Sequence, residues 1–162
     1  DLDNMARLFR MADFPVVCAN YDVSATVLKD LVKPYVVFER DGVKIGVLGL
    51  GCQLEGMVQA NKCVGVVYND PVTVANEVAA VLKEKEGCDV VVCLSHLGVQ
   101  YDENQLIPKT RNIDVVLGGH SHIFMKGPKT LLNMDGKNVS LMHTGKSGIY
   151  VGQMDLTLEK KK

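Results

Sequence analysis

The sequence predicts an α/β chain, a mixed β-sheet flanked by helices, and three observations carry that reading. From residue 43 to residue 122 apolar runs alternate with amphipathic ones in the order strand, helix, strand, helix, strand, which calls for parallel pairing through crossover helices. Asp41-Gly42 and Asp135-Gly136 each lie between strand-like runs, the strongest short-range hairpin signal, and they add antiparallel strands to the parallel set. The runs IGVLGL, VVVCL and VVLGG are almost uninterrupted by polar residues, as strands covered on both faces are.

Each element follows from local chemistry. Met5, Leu8, Phe9 and Ala12 recur at helical spacing behind Asp1 or Asp3 as N-cap, and Pro15 forbids continuation. PVVCAN (15–20) reads as a short buried strand, and PYVVFER and VKIGVLGLG form the first hairpin around Asp41-Gly42. Residues 51–69 mix Gly, Gln and Asn without a period and read as a loop. Asp70-Pro71 opens a helix with Val74, Val78, Ala79, Val81 and Leu82 on one face, closed by Gly87. CDVVVCLSHLG is a strand running into a polar loop, ENQLIPKTRN a short helix interrupted at Pro108, and DVVLGGHSH a second strand running into a loop. TLLNMDGKNVSLMHTG and IYVGQMDLTLE predict a further antiparallel meander of three strands, and Lys160 to Lys162 read as the start of a connection to a following domain.

Composition narrows the function. A chain of 162 residues that is 47% hydrophobic fits one domain with its own core. Eighteen basic against 19 acidic residues leave a net charge of -1, so no global field draws in a nucleic-acid polymer or an anionic membrane, and a phosphate-bearing ligand has to be held locally. No apolar run approaches the roughly 20 residues of a membrane span. Cysteines 18, 52, 63, 88 and 93 contain no CxxC pair, against a zinc ribbon or a thioredoxin-type site. Cys18, Cys88 and Cys93 read as small buried residues, whereas Cys52 and Cys63 share a loop where an oxidising compartment would let them pair.

The four histidines are unevenly placed. If residues 115–122 stay extended, His120 and His122 project to one side, whereas on a helix they would diverge by about 200°. His96 stands at the same point after the preceding strand, and neighbouring strands about 4.8 Å apart bring it beside His120 at the carboxyl edge, where open α/β sheets bind ligands. Three converging imidazoles suit zinc, copper, nickel or iron, or manganese when carboxylates join. His143 reads as an ordinary strand or loop residue.

SHLG at 95–98 followed by GGHSH at 118–122 resembles the last two motifs of the calcineurin-like metallophosphoesterases, in the branch of the 5′-nucleotidases and 2′,3′-cyclic-nucleotide phosphodiesterases. FPVVCANYD, VKIGVLGLG, NDPVTVANEVAAVLK, CDVVVCLSHLG, IDVVLGGHSH and HTGKSGIYVGQMDLTL fall in that family's order. The resemblance implies a hydrolase acting on nucleotide phosphate esters with two divalent ions, zinc, manganese or similar. It implies His96 and His120 as ligands of one ion and His122 as a ligand of the other.

The family's Asp-x-His, Gly-Asp and Gly-Asn-His-Glu motifs have no counterpart here. Residues 1–162 are therefore expected to be the C-terminal part of a metallophosphatase domain, one half of an αββα sandwich without the N-terminal half or the C-terminal nucleotidase domain. Such a fragment should bind metal partially or not at all, be inactive alone, and self-associate through the sheet face its missing half would cover. The parent is expected in the periplasm, outside the cell or at its surface. The alternative is a non-catalytic metal- or partner-binding module. Two other HxH classes fail: an amidohydrolase barrel needs about 250 residues with the motif on its first strand, and a histidine triad would need histidine where Phe124 stands.

Overall fold

The computed structural model describes residues 1–159. Asp1 accepts a hydrogen bond from the Asn4 amide at 3.0 Å and so opens α1 (Leu2–Phe9), whose Ala6 packs with Val23 and Leu28 in a small cluster of their own. The 15–20 run makes a strand only over β1 (Val16–Val17), because the chain changes partner: Cys18 donates to Lys33, then Ala19 donates to Gly49. β2 (Tyr21–Asp22) follows, and β3 (Val32–Lys33) pairs with β1 in parallel.

β4 (Tyr35–Arg40) and β5 (Val43–Leu50) form the expected hairpin, with Arg40 opposite Val43. Asp41 and Gly42 have φ of 53° and 78°, the double positive φ that matches the turn to the twist of its strands. β6 (Val67–Tyr68) pairs antiparallel with β2. Asp70 caps α2 (Pro71–Ala80) by accepting from the Thr73 amide at 2.8 Å, the helix widens into a π turn through Lys85, and Gly87 at φ 68° ends it.

β7 (Val90–Ser95) is followed by α3 (Val99–Tyr101), the first turn of a helical segment that runs through Lys109. That segment starts four residues earlier than ENQLIPKTRN suggests, and Pro108 lies in its closing 3-10 turn, so it ends the helix instead of interrupting it. β8 (Val115–Gly118), β9 (Lys129–Leu132) and β10 (Asn138–His143) complete the order.

Six strands form one sheet in the order β4-β5-β7-β8-β10-β9. β5, β7, β8 and β10 are mutually parallel, and β4 and β9 close the two edges antiparallel. The expected terminal meander is therefore corrected. β9 and β10 form its hairpin, but β10 joins the central sheet beside β8, and residues 151–159 form no strand. With β8 on one side and β9 on the other, β10 offers no free ladder to a third strand. The lysines at 160–162 lie outside the described residues.

One face of the sheet carries the core. Leu48, Val91, Cys93, Val116 and Leu141 point to it and pack with Ala75, Ala79 and Leu82 of the α2 region and Leu106 and Ile107 of the 99–109 segment. α2 can lie this close because Gly46 faces it: a Cβ there would meet Leu82 at 2.8 Å. The helices thus cover a single face, and the four parallel strands all end along one edge.

Candidate functional site

The parallel ladder runs one residue past β7 and β8. The His96 amide donates to Leu50 and the Gly119 amide to Ser95, each at 2.8 Å, so backbone pairing itself sets the side-by-side placement of residue 96 and the 119–120 turn. The His96 and His120 rings meet edge to face, with centroids 5.2 Å apart and planes at 70°. The neighbour relation expected from the βαβ spacing is thus present.

The route to His122 differs from the expectation. The strand does not stay extended through residue 122; it ends at Gly118, because β10 stops at His143, the residue paired with Gly118. His120 and His122 then both take left-handed backbone, at φ 71° and 55°, a conformation that costs a non-glycine residue roughly 1–3 kcal/mol and that the surroundings must enforce. The Ser121 amide donates to Gly119 at 2.9 Å and its hydroxyl accepts from the Val99 amide at 3.2 Å, which ties this turn to the start of α3. His122 is exposed on that turn, and the two-residue period of a strand is not what places it.

Burial holds the His96 imidazole below its ordinary pKa, and the neighbouring His120 and then His122 press it further in the same direction. A neutral ring keeps a lone pair available as acceptor or ligand. His96 borders an open groove of about 380 Å³ with Val17, Cys18, Leu94, Leu117 and Gly119. His120 lines a second groove of about 450 Å³, with Tyr101, Asn104 and Gln105. The two imidazoles therefore each border a groove of their own.

The donor chemistry suits a transition-metal ion only in part. Two imidazoles meet, but among the described residues no three His, Cys, Asp or Glu side chains are gathered so that they could hold a metal. Asp114, the acidic residue nearest in sequence to the glycine turn, is engaged elsewhere, accepting from the Val91 amide at 2.8 Å and from Lys83 at 2.9 Å. Two dications without a bridging anion repel. The described residues do not by themselves fit a two-metal centre.

The sequence reading passed over a second polar group beneath this edge. Asp102, wholly buried, accepts from the Ser95 hydroxyl at 2.5 Å and lies 2.9 Å from His143 Nε2, and His143 is itself 1% exposed. A signal was present: Asp102 and Leu106 stand four apart on one helix and share its buried face, so a carboxylate occupies a core position. Removing one partner of such a pair strands the other in the interior, at a cost of about 3–5 kcal/mol. Among the cysteines, Cys88 and Cys93 are buried as expected, Cys18 is only half-buried, and all five thiols are free, Cys52 and Cys63 included.

No family model matches the chain. Among curated proteins it is 32% identical to a 5′-nucleotidase of Vibrio cholerae over 132 residues, 72% of this chain and 24% of the relative. It is 26% identical to the trifunctional nucleotide phosphoesterase YfkN of Bacillus subtilis over 170 aligned residues, 94% of this chain and 11% of that protein. Among solved structures, a 5′-nucleotidase precursor from Thermus thermophilus superposes with a TM-score of 0.79 at 30% identity, covering 86% of this chain and 29% of that one. The chain thus spans about a quarter or less of these curated relatives. A parallel sheet ending in SHLG and GGHSH, with these relatives, places the chain beside the calcineurin-like phosphoesterases in sequence and fold. Within that class its homologues and structural neighbours are 5′-nucleotidases, and they cover most of this chain.

Proposed function

We propose that the protein to which this chain belongs hydrolyses phosphate esters of nucleotides, and that this chain supplies one edge of its reaction centre. The observation that carries the reading is the edge-to-face His96–His120 pair at the carboxyl ends of parallel strands, in a chain whose relatives are 5′-nucleotidases. On this reading His96, His120 and His122 are part of a donor set for divalent ions such as zinc or manganese, which would supply charge neutralisation at the phosphate. The remaining donors, a bridging carboxylate above all, come from an N-terminal half-domain that completes the sandwich.

The chain's own residues have a narrower task. His96, held below its ordinary pKa by burial, presents an imidazole lone pair to the groove, the Gly118-Gly119 turn lets backbone approach closely, and Ser121 locks the turn that carries both later histidines. The reading also takes the protein to be periplasmic, secreted or displayed at the cell surface. An alternative, a metal- or partner-binding module without catalysis, draws on the incompleteness of the donor set among the described residues.

One experiment separates them. Phosphate release from adenosine 5′-monophosphate is measured for this chain alone, for the longer product of its gene, and for the longer product carrying His120→Ala. The expected outcome is no turnover by the chain alone above a metal-only background, turnover by the longer product, and its loss in the variant, since such residues act as a unit. A longer product that binds zinc but releases no phosphate would establish the non-catalytic module.

A further inference from the structure

We propose that Asp102 is a positioning residue for the histidine edge: through Ser95 and His143 it braces the two strand ends that flank β8, and so holds His96 against His120. The inference deepens the reading of this edge as the working edge and rests on it for its purpose, though not for its geometry.

Asp102 enters from the second turn of the 99–109 segment and is wholly buried. Among the described residues its side-chain partners are Ser95 and His143. One carboxylate oxygen accepts a hydrogen bond from the Ser95 hydroxyl, and the Ser95 oxygen accepts in turn from the Leu97 amide at 3.2 Å. Those two bonds span the turn on which His96 stands. The other carboxylate oxygen faces His143 Nε2 at 2.9 Å. The His143 ring lies over Gly118, where a Cβ would come within 2.0 Å of that same nitrogen. Asp102 therefore fixes β7 at Ser95, β10 at His143 and, through the ring, the end of β8 from which Gly119 and His120 depart.

Two features mark this as orientation and not space-filling. A buried carboxylate is a costly way to occupy a core, since an apolar side chain of similar volume avoids its desolvation. What it adds is direction, through acceptors aimed at two different strands. In addition, His143 Nδ1 is buried without a hydrogen-bond partner. The ring is held from one side, so Asp102 sets its tilt.

The test is the contact between the His96 and His120 ring protons, read as a nuclear Overhauser cross-peak in the histidine-labelled chain. Ser95→Ala and Asp102→Ala are expected to lose the cross-peak, whereas Val116→Ala, which loosens the same core outside the network, keeps it. Asp102→Asn is expected to restore it: the amide oxygen still accepts from Ser95, and the His143 proton moves from Nε2 to Nδ1 so that Nε2 can accept from the amide, visible as an exchange of the two ring ¹⁵N shifts. A cross-peak retained in folded Ser95→Ala, or lost equally in Val116→Ala, would overturn the proposal. If Asp102→Ala fails to fold, Ser95→Ala decides alone. Absence of hydrolysis in the longer protein, with the ring contact behaving as stated, would sink the functional reading and leave this one standing.

Discussion

The two faces of the six-stranded sheet are built from the same strands and have opposite fates. On the helix side Leu48, Val91, Cys93, Val116 and Leu141 are fully enclosed, in contact with α2 and the 99–109 segment. On the other side Leu94 pairs with Leu117 across β7 and β8 and both remain about two-fifths exposed, with Phe38 nearly as open. Partial cover comes from β1, which crosses at Gly49, and from residues 152–154 beside Leu117 and Met142. Apolar composition alone therefore does not decide burial; a covering element does. The histidine groove opens on the less covered side, with Leu94 and Leu117 in its wall, so the histidine edge and the less covered face coincide.

The comparison breaks if side chains on the two faces contribute equally to stability. Leu141→Ala should cost about 2–5 kcal/mol, because it removes enclosed methyl groups and leaves a cavity. Leu117→Ala should cost less than about half as much, since a partly exposed side chain has less transfer free energy to lose and its loss leaves no enclosed cavity. Urea denaturation of both variants measures the difference, and equal costs would mean that the second face is covered in solution.

A smaller effect sharpens the helix side. Asp70→Ala removes the cap of α2 and should cost about 1 kcal/mol. Hydrogen bonds from the Thr73 amide and hydroxyl hold the Asp70 carboxyl below the usual aspartate range. Its contribution is therefore present above the unfolded-state value and is lost as pH falls through the lower folded value. Melting wild type and variant across pH 2–6 should show the gap between them closing toward acid, and a gap independent of pH would remove the carboxylate from the account.

A test of association falls on the open face. Leu94→Ser with Leu117→Ser should lower the apparent mass in light scattering if that face joins two copies, because exposed apolar area favours contact. Wild-type chain that is monomeric when concentrated, and binds no apolar dye, would show that the exposed leucines drive nothing.

Local chemistry determined much of this protein. Asp41-Gly42 and Asp135-Gly136 specified their hairpins through positive φ, Asp70-Pro71 and Gly87 bounded α2, and two uninterrupted apolar runs joined by a helix-length connection were enough to bring His96 beside His120. Each of those features is decided within a few residues or by chain length. The path of residues 119–122, the loss of the last expected strand and the Asp102–His143 pair were decided elsewhere. The turn bends where β10 stops, residues 151–159 go unpaired because β9 occupies the edge they would need, and a carboxylate finds an imidazole 41 residues away. Such outcomes depend on which strands already fill the ladder and on what lies across the core, and that competition exists only once the sheet is assembled.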